Sequence, residues 1–510
     1  MRILSLLSLV ALAVRPLAAE AAPPPPPSPP AAAEKEKEAP EEKQSTTEHQ
    51  VVVGGHALAY TATAGNLVLK QEDGTARASI FFTAYSKKGE SDPARRPVTF
   101  CFNGGPGSSS VWLHLGVLGP RRVKLEDEGW APRPPYELTD NAESILDLTD
   151  LVFVDPVTTG FSRAAPGVDD REFHGVREDI ESVGEFVRLW TSRYGRWASP
   201  KFLAGESYGT TRAAGLVDWL QDRHGMYFSG VVLISAVLDF GTGEFQPGND
   251  APYALFLPTY AATAWYHHKL APELENAPVE TVVEEARRFA RGDYWMALAR
   301  GNRLSAAERD AVAEKLARLT GLGKQYCLDS DLRIADYRFP KELLRSERAT
   351  TGRLDTRFRG RDLDAVGEST EFDPSYAAIQ GPFSSMLNDY LKRELKVEQD
   401  LPYEVLTGRV QPWSFRSYEN RYVDVAENLR QALEKNPALR VFVANGYYDL
   451  ATPFAATEYT LDHLAWDGDA VSRVEMRYFP AGHMMYIHRP SREKLKADLA
   501  AFYAAAVAGR

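Results

Sequence analysis

Two cysteines in 510 residues, Cys101 and Cys327, allow one disulfide at most, so no disulfide framework holds this fold together. A basic excess is also missing: 59 Lys+Arg stand against 70 Asp+Glu, a formal net charge of −11. Nucleic-acid binders carry a basic face or stripe, so no nucleic-acid partner is expected. Long apolar runs are scarce. The segment Ile3 to Val14 is broken by two serines and stopped by Arg15 and Pro16, well short of the ~20 residues a spanning helix needs. No H-E-x-x-H occurs, and the adjacent His267 and His268 cannot face one ion from a helix. Neither a metal nor another cofactor is expected.

What the N-terminus does contain reads as an export signal over residues 1–21. Arg2 supplies the positive end, Ile3 to Val14 the apolar stretch and Ala19-Glu20-Ala21 a small-x-small cleavage site. The mature protein is then periplasmic or extracellular, with no stable membrane insertion once the signal is removed. Residues 22–48 read as a disordered linker, with Pro23 to Pro27, Pro29, Pro30 and the charged run Glu34 to Glu38. Such a composition stays extended and buries too little apolar surface to offset the entropy of ordering.

Apolar residues make up 44% of the chain and aromatics 11%, enough for one large core. Past residue 50 a β-rich opening contains Val51-Val52-Val53, Leu67-Val68-Leu69 and Ala78 to Tyr85, punctuated by Gly-containing turns. Continuous apolar runs follow at Val98 to Phe102, Leu151 to Val154, Phe202 to Ala204, Val231 to Ile234 and Val441 to Ala444, as expected of strands covered on both faces. Between the second and third lies a helical stripe of Ile180, Val183, Val187, Trp190 and Tyr194. This alternation predicts an α/β fold with a mostly parallel central sheet flanked by helices. Residues 241–400 break the rhythm, richer in helix and charge, with a capping box at Ser305 to Glu308. They read as a helical insertion, or cap, in a core made of residues 49–240 and 401–510.

The strongest chemical signal is Gly205-Glu206-Ser207-Tyr208-Gly209, after a strand-like run and before a helical one. That context makes it a nucleophile elbow, whose glycines avoid collisions in a very tight turn. The serine needs a base, and the base an orienting acid, in the chain order Ser…Asp/Glu…His. Asp449 follows the run Val441 to Ala444, and His483 sits on a turn after Val474 to Phe479. His463 falls in a helical segment and His488 reads as an exposed cap before Arg489-Pro490, which leaves His483 as the base. Asn103-Gly104-Gly105-Pro106-Gly107 supplies a loop whose backbone N–H groups can approach an oxyanion. A phosphate-binding reading of that loop fails, because Pro106 removes a donor and no Gly-Lys-Ser/Thr follows.

Together these segments resemble the serine carboxypeptidase family, peptidase family S10, of the α/β-hydrolase fold, and its bacterial-type members. The resemblance rests on Asn103 to Ser110, Phe153 to Pro156 with Gly160-Phe161-Ser162, Gly205 to Gly209, Asn445 to Asp449 and Gly482-His483-Met484, all in family order. It implies Ser207 as nucleophile, His483 as base and then acid, and Asp449 as its orienter. It implies an oxyanion hole from the backbone N–H groups of Gly105 and Tyr208. It also implies that Asn103 and Glu206 bind the free C-terminal carboxylate of a peptide substrate, with Glu206 protonated beside it because two like charges in a dry site disfavour each other. The expected enzyme is a secreted serine-type carboxypeptidase, monomeric or homodimeric. An esterase or acyltransferase using the same triad is the alternative, since one fold hosts many acyl chemistries.

Two departures from the family pattern stand out. Val117 occupies the place of a second glutamate that shares a proton with the first, which weakens the expectation of an acidic optimum. Ser108 stands where many members have a cysteine, and Cys101 reads as a small buried apolar residue. The basic stretch Arg353, Arg357, Arg359 and Arg361 reads as a solvated face; lining the cleft, it would favour acidic side chains.

Overall fold

The computed structural model describes residues 40–90, 92–464 and 468–508. The export signal and most of the linker lie outside that range. The first strand, β1 (Gln44–Val53), begins inside the segment read as linker. Its last residues are therefore structural: β1 pairs antiparallel with β2 (His56–Lys70) from Gln44 onward.

The central sheet continues through β3 (Ala76–Lys87), β4 (Val98–Phe102), β5 (Asp150–Val154), β6 (Lys201–Ser207), β7 (Gly230–Ala236), β8 (Arg440–Gly446) and β9 (Val474–Phe479). Its spatial order is β1-β2-β3-β5-β4-β6-β7-β8-β9, with the two-residue strand Arg163–Ala164 paired to β3. From β5 to β9 all neighbours are parallel, whereas β1 to β3 and the β3–β5 pair are antiparallel. The continuous apolar runs are explained by their alternation between two cores. Leu203, Val231, Leu233, Val441 and Val443 face one side, packed with α1 (Val176–Arg193), α2 (Tyr208–His224) and α7 (Ala426–Lys435). Phe202, Ala204, Val232, Ile234, Phe442 and Ala444 face the other, against α9 (Arg489–Val507) and α6 (Pro374–Arg393). Both sheet faces are dry, as parallel strands require.

Between β7 and β8 the chain leaves the sheet. Helices α3 (Ala251–Tyr266), α4 (Val279–Phe289) and α5 (Ala306–Thr320) build a separate apolar cluster around Tyr260, Val282, Phe289 and Leu316. Ser305 caps α5 with the reciprocal bonds of a capping box. The insertion is not uniform, because α6 instead packs its Ile379, Phe383 and Leu387 into the sheet's second core. After α6 the chain crosses the mouth of the sheet, bridging Leu406 to Ser108 and Glu404 to Gly160. It then returns through α7, β8, α8 (Phe454–Asp462), β9 and α9. Open parallel sheets bind ligands outside the carboxyl ends of their strands, and that is where the chemically notable residues lie.

Candidate active site

Ser207 ends β6 and Tyr208 opens α2. Ser207 has φ 60° and ψ −132°, a left-handed conformation that costs a non-glycine residue on the order of 1–3 kcal/mol. The flanking glycines are obligatory for steric reasons. A Cβ at Gly205 would lie 2.1 Å from the Gly209 carbonyl oxygen, and one at Gly209 would lie 2.6 Å from that of Phe102. The turn thus holds the Ser207 side chain out at the strand end.

Asp449 follows β8 and His483 follows β9. The Asp449 Oδ2 accepts from His483 Nδ1 at 2.8 Å and from Thr452 Oγ1 at 2.7 Å. Its Oδ1 accepts from the backbone N–H groups of Ala451 and Thr452 at 2.8 and 3.0 Å. With Nδ1 engaged by the carboxylate, Nε2 is the nitrogen left to exchange a proton. Burial pulls the imidazole pKa down, yet the Asp449 charge and hydrogen bond, helped by Glu206, outweigh it and raise it above the ordinary histidine value. Ser207 and His483 line one cavity of about 390 Å³. Among the described residues the Ser207 hydroxyl has no hydrogen-bond partner; such contacts often tighten only with substrate bound.

Gly104 and Gly105 bring the β4 loop against the elbow. A Cβ at Gly104 would lie 2.4 Å from the Tyr208 backbone nitrogen, so only glycine lets the two loops approach this closely. Among the described residues neither the Gly105 nor the Tyr208 backbone N–H is used within the protein. Two free donors beside a serine can stabilise an oxyanion.

Asn103 and Glu206 also face this cavity and touch one another. Asn103 Nδ2 donates to Glu206 Oε1 at 2.9 Å, while Asn103 Oδ1 accepts from the Leu113 N–H at 3.1 Å. Glu206 Oε2 accepts from the Tyr486 hydroxyl at 2.6 Å. Burial dominates the Glu206 carboxyl and pushes its pKa up to about 7, against the lowering effect of His483 and the Tyr486 bond. The place left by the missing second glutamate is apolar: Val117 is buried, and the Tyr486 ring lies over Gly116, where a Cβ would come within 2.4 Å.

Several supporting residues carry no motif in the sequence. Tyr486 is one. Arg212 is another: buried, it donates to the Asn103 carbonyl at 2.6 Å and pairs with Asp179 at 2.8 Å. A strap from the insertion, residues 352–357, grips both candidate catalytic loops. His483 N–H donates to Leu354 O at 2.7 Å, Leu450 N–H to Arg353 O at 3.0 Å and Thr356 N–H to Tyr448 O at 2.9 Å. Asp355 accepts from the Gly482 N–H at 3.0 Å and from Arg357. Arg357, read from sequence as solvated, is thus a buried ion-pair partner, and Arg359 pairs with Glu347. Arg353 lines the cavity. His488 is a helix cap, the residue before α9, but a buried one rather than exposed, held by Ser491 at 2.8 Å. His463 is exposed at the end of α8. Cys101 and Cys327 are both buried and free.

A strained serine at a strand–helix elbow, an Asp–His pair on later strand ends and the parallel sheet define an α/β hydrolase. Residues 60–486 match the serine carboxypeptidase family model, and the chain belongs to that family. It is 32% identical to serine carboxypeptidase-like 33 of Arabidopsis thaliana over 151 residues, 29% of either chain. It is 31% identical to carboxypeptidase Y of Schizosaccharomyces pombe over 131 residues, 25% of this chain and 12% of that one. The aligned stretches thus span less than a third of these relatives' length. Among solved structures, a prohormone-processing carboxypeptidase of Saccharomyces cerevisiae, Kex1, superposes with a TM-score of 0.54 at 16% identity. That superposition covers 87% of this chain and 91% of the other.

Proposed function

We propose that the protein is a serine-type carboxypeptidase acting on peptides with a free C-terminus. The observation that carries this reading is the convergence, on one cavity, of Ser207, the hydrogen-bonded His483–Asp449 pair and the Asn103–Glu206 pair. Ser207 Oγ attacks the carbonyl carbon of the last peptide bond as its proton passes to His483 Nε2. The Gly105 and Tyr208 N–H groups receive the developing oxyanion. His483 then protonates the departing amino acid, leaving an acyl-enzyme that water hydrolyses by the same steps in reverse.

Asn103 and a protonated Glu206 bind the terminal carboxylate. Because Glu206 titrates at about 7, that binding is intact in acid and fails as the pH rises through 7. His483 must be neutral to accept the proton and sets the acidic limb. The Tyr486 hydroxyl, rather than a second carboxyl group, is the partner hydrogen-bonded to Glu206 Oε2. Among the described residues no helix is long and apolar enough to cross a membrane. The basic, apolar and small-residue order of the first 21 residues supports export to the periplasm or the exterior. The partition into a core that starts at β1 and resumes at residue 401, with a cap over 241–400 from which α6 packs into that core, belongs to the same reading.

The decisive measurement compares a blocked dipeptide with a free C-terminus against its amide between pH 4 and 8, with Ser207→Ala as control. Release of the last residue from the acid alone, lost in Ser207→Ala, is expected. Equal rates on acid and amide would exclude carboxylate-guided exopeptidase action and leave the esterase or acyltransferase reading.

A further inference from the structure

The cavity around Ser207 has an uneven charge inventory. Its walls are largely apolar, contributed by Trp112, Leu354, Tyr376, Ile379, Leu406 and Met484 among others. The carboxyl group lining it is Glu206, neutral below about pH 7. Against these stands one side chain of fixed positive charge among the lining residues, Arg353. An arginine lining an otherwise apolar cleft attracts an anion there and offers it a forked set of donors.

Arg353 is anchored by its backbone, not by its side chain. Its N–H donates to Asp373 at 3.2 Å and its carbonyl accepts from Leu450. The side chain is 56% exposed, and its ion pair with Asp336 is long, at 3.9 Å. The guanidinium therefore retains donors for a substrate. Its position argues against the terminal carboxylate as that substrate group. Asn103 follows β4 and Asp449 follows β8, three strands apart in the sheet order β4-β6-β7-β8, or roughly 14 Å at ~4.8 Å per strand. The Arg353 backbone is bonded to Leu450, on the β8 side, and its charge reaches His483.

We infer that Arg353 is a specificity-determining residue that directs the enzyme to peptides with an acidic side chain beside the scissile bond, through the guanidinium that the insertion strap places at the cavity wall. This rests on the carboxypeptidase reading and narrows its substrate class to acidic C-terminal sequences. Asp336 acts as the competing anion when no substrate is present, so its removal strengthens the preference.

The test uses blocked dipeptides in matched pairs, Glu against Gln at the last residue and again at the residue before it, with a Lys peptide for each position. Wild-type protein is expected to prefer Glu over Gln in kcat/KM by about two- to fivefold at one position, the scale of a partly exposed ion pair. Arg353→Gln should bring that ratio to about one, and Arg353→Glu should turn it toward Lys. Asp336→Asn should raise it. Because ratios within one enzyme are compared, loss of folded protein does not imitate the effect. A Glu-to-Gln ratio that is the same in wild type and both Arg353 variants at both positions overturns the assignment while leaving the carboxypeptidase reading in place. No release from any peptide by wild type overturns both. A loss of free-acid over amide selectivity in Arg353→Gln also overturns it, by assigning Arg353 to the terminal carboxylate.

Discussion

A buried carboxyl group that keeps its proton to about pH 7 ties stability to pH in the opposite sense to most acids. Glu206 has a folded-state value near 7 and an unfolded one near ~4.3. Between these the native state binds more protons than the unfolded chain, so stability falls as pH rises. The loss approaches about 4 kcal/mol once pH exceeds 7. Glu206→Gln should therefore match wild type near pH 4 and be the more stable protein near pH 8, by chemical denaturation at the two pH values. Parallel stabilities at both would contradict the buried neutral acid. Tyr486 supplies the second reading of the same group. Its hydroxyl donates to Glu206 Oε2 at 2.6 Å and favours the ionised form. Tyr486→Phe should then move the alkaline limb of kcat/KM to higher pH, and Glu206→Gln should abolish that limb. An unmoved limb in Tyr486→Phe means that another group titrates there.

Elements, rather than residues, decide whether the donors and the base meet. The β4 loop and the elbow touch at Gly104, where a methyl group would collide with the Tyr208 nitrogen. Gly104→Ala should separate the two proposed oxyanion donors and lower kcat by about 10²–10³ with a smaller change in KM; steady-state kinetics on one peptide decides it. The strap 352–357 is the other such element. Asp355→Asn removes the nearer carboxylate of the buried Arg357 guanidinium and leaves it only Glu128 at 3.4 Å, which should cost up to about 3 kcal/mol and lower kcat of the surviving folded protein. A lower melting point with unchanged kcat would make the strap a structural brace only. These two elements also mark where the sequence stops being readable. The elbow, the glycine loop and the Asp449 and His483 turns announce themselves locally, because each is a strand end with obligatory small residues. Ser207 and Asp449 could be named on that ground. The strap reaches Gly482 from 127 residues away in sequence, and Tyr486 reaches Glu206 across 280. No local period records such contacts, so Arg357 resembled an ordinary surface charge and His488 an exposed cap.

On the scale of the whole molecule, the insertion's helical cluster and the sheet bury their apolar residues in different places, and each contains one cysteine. Cys101 lies in β4, hydrogen-bonded on both sides by β5 and β6, within the sheet's second core. Cys327 lies in the helical cluster of the insertion with Phe289, Leu316 and Leu319. Burial raises both thiols, that of Cys327 to about 12, so neither reacts until its surroundings open. A central strand opens only with the global transition, whereas a peripheral helical layer can open alone. Single-cysteine variants, Cys101→Ala and Cys327→Ala, let the two sites be followed separately with an aromatic disulfide reagent in mild denaturant. Cys327 should label first, and its labelling should depend less steeply on denaturant because less surface is exposed. Loss of activity should follow the Cys327 rate, since the insertion strap holds the His483 turn through Leu354 and Asp355. Identical rates and denaturant slopes at both cysteines would mean that strap and sheet unfold as one cooperative unit, and the insertion would then be part of the core rather than a layer upon it.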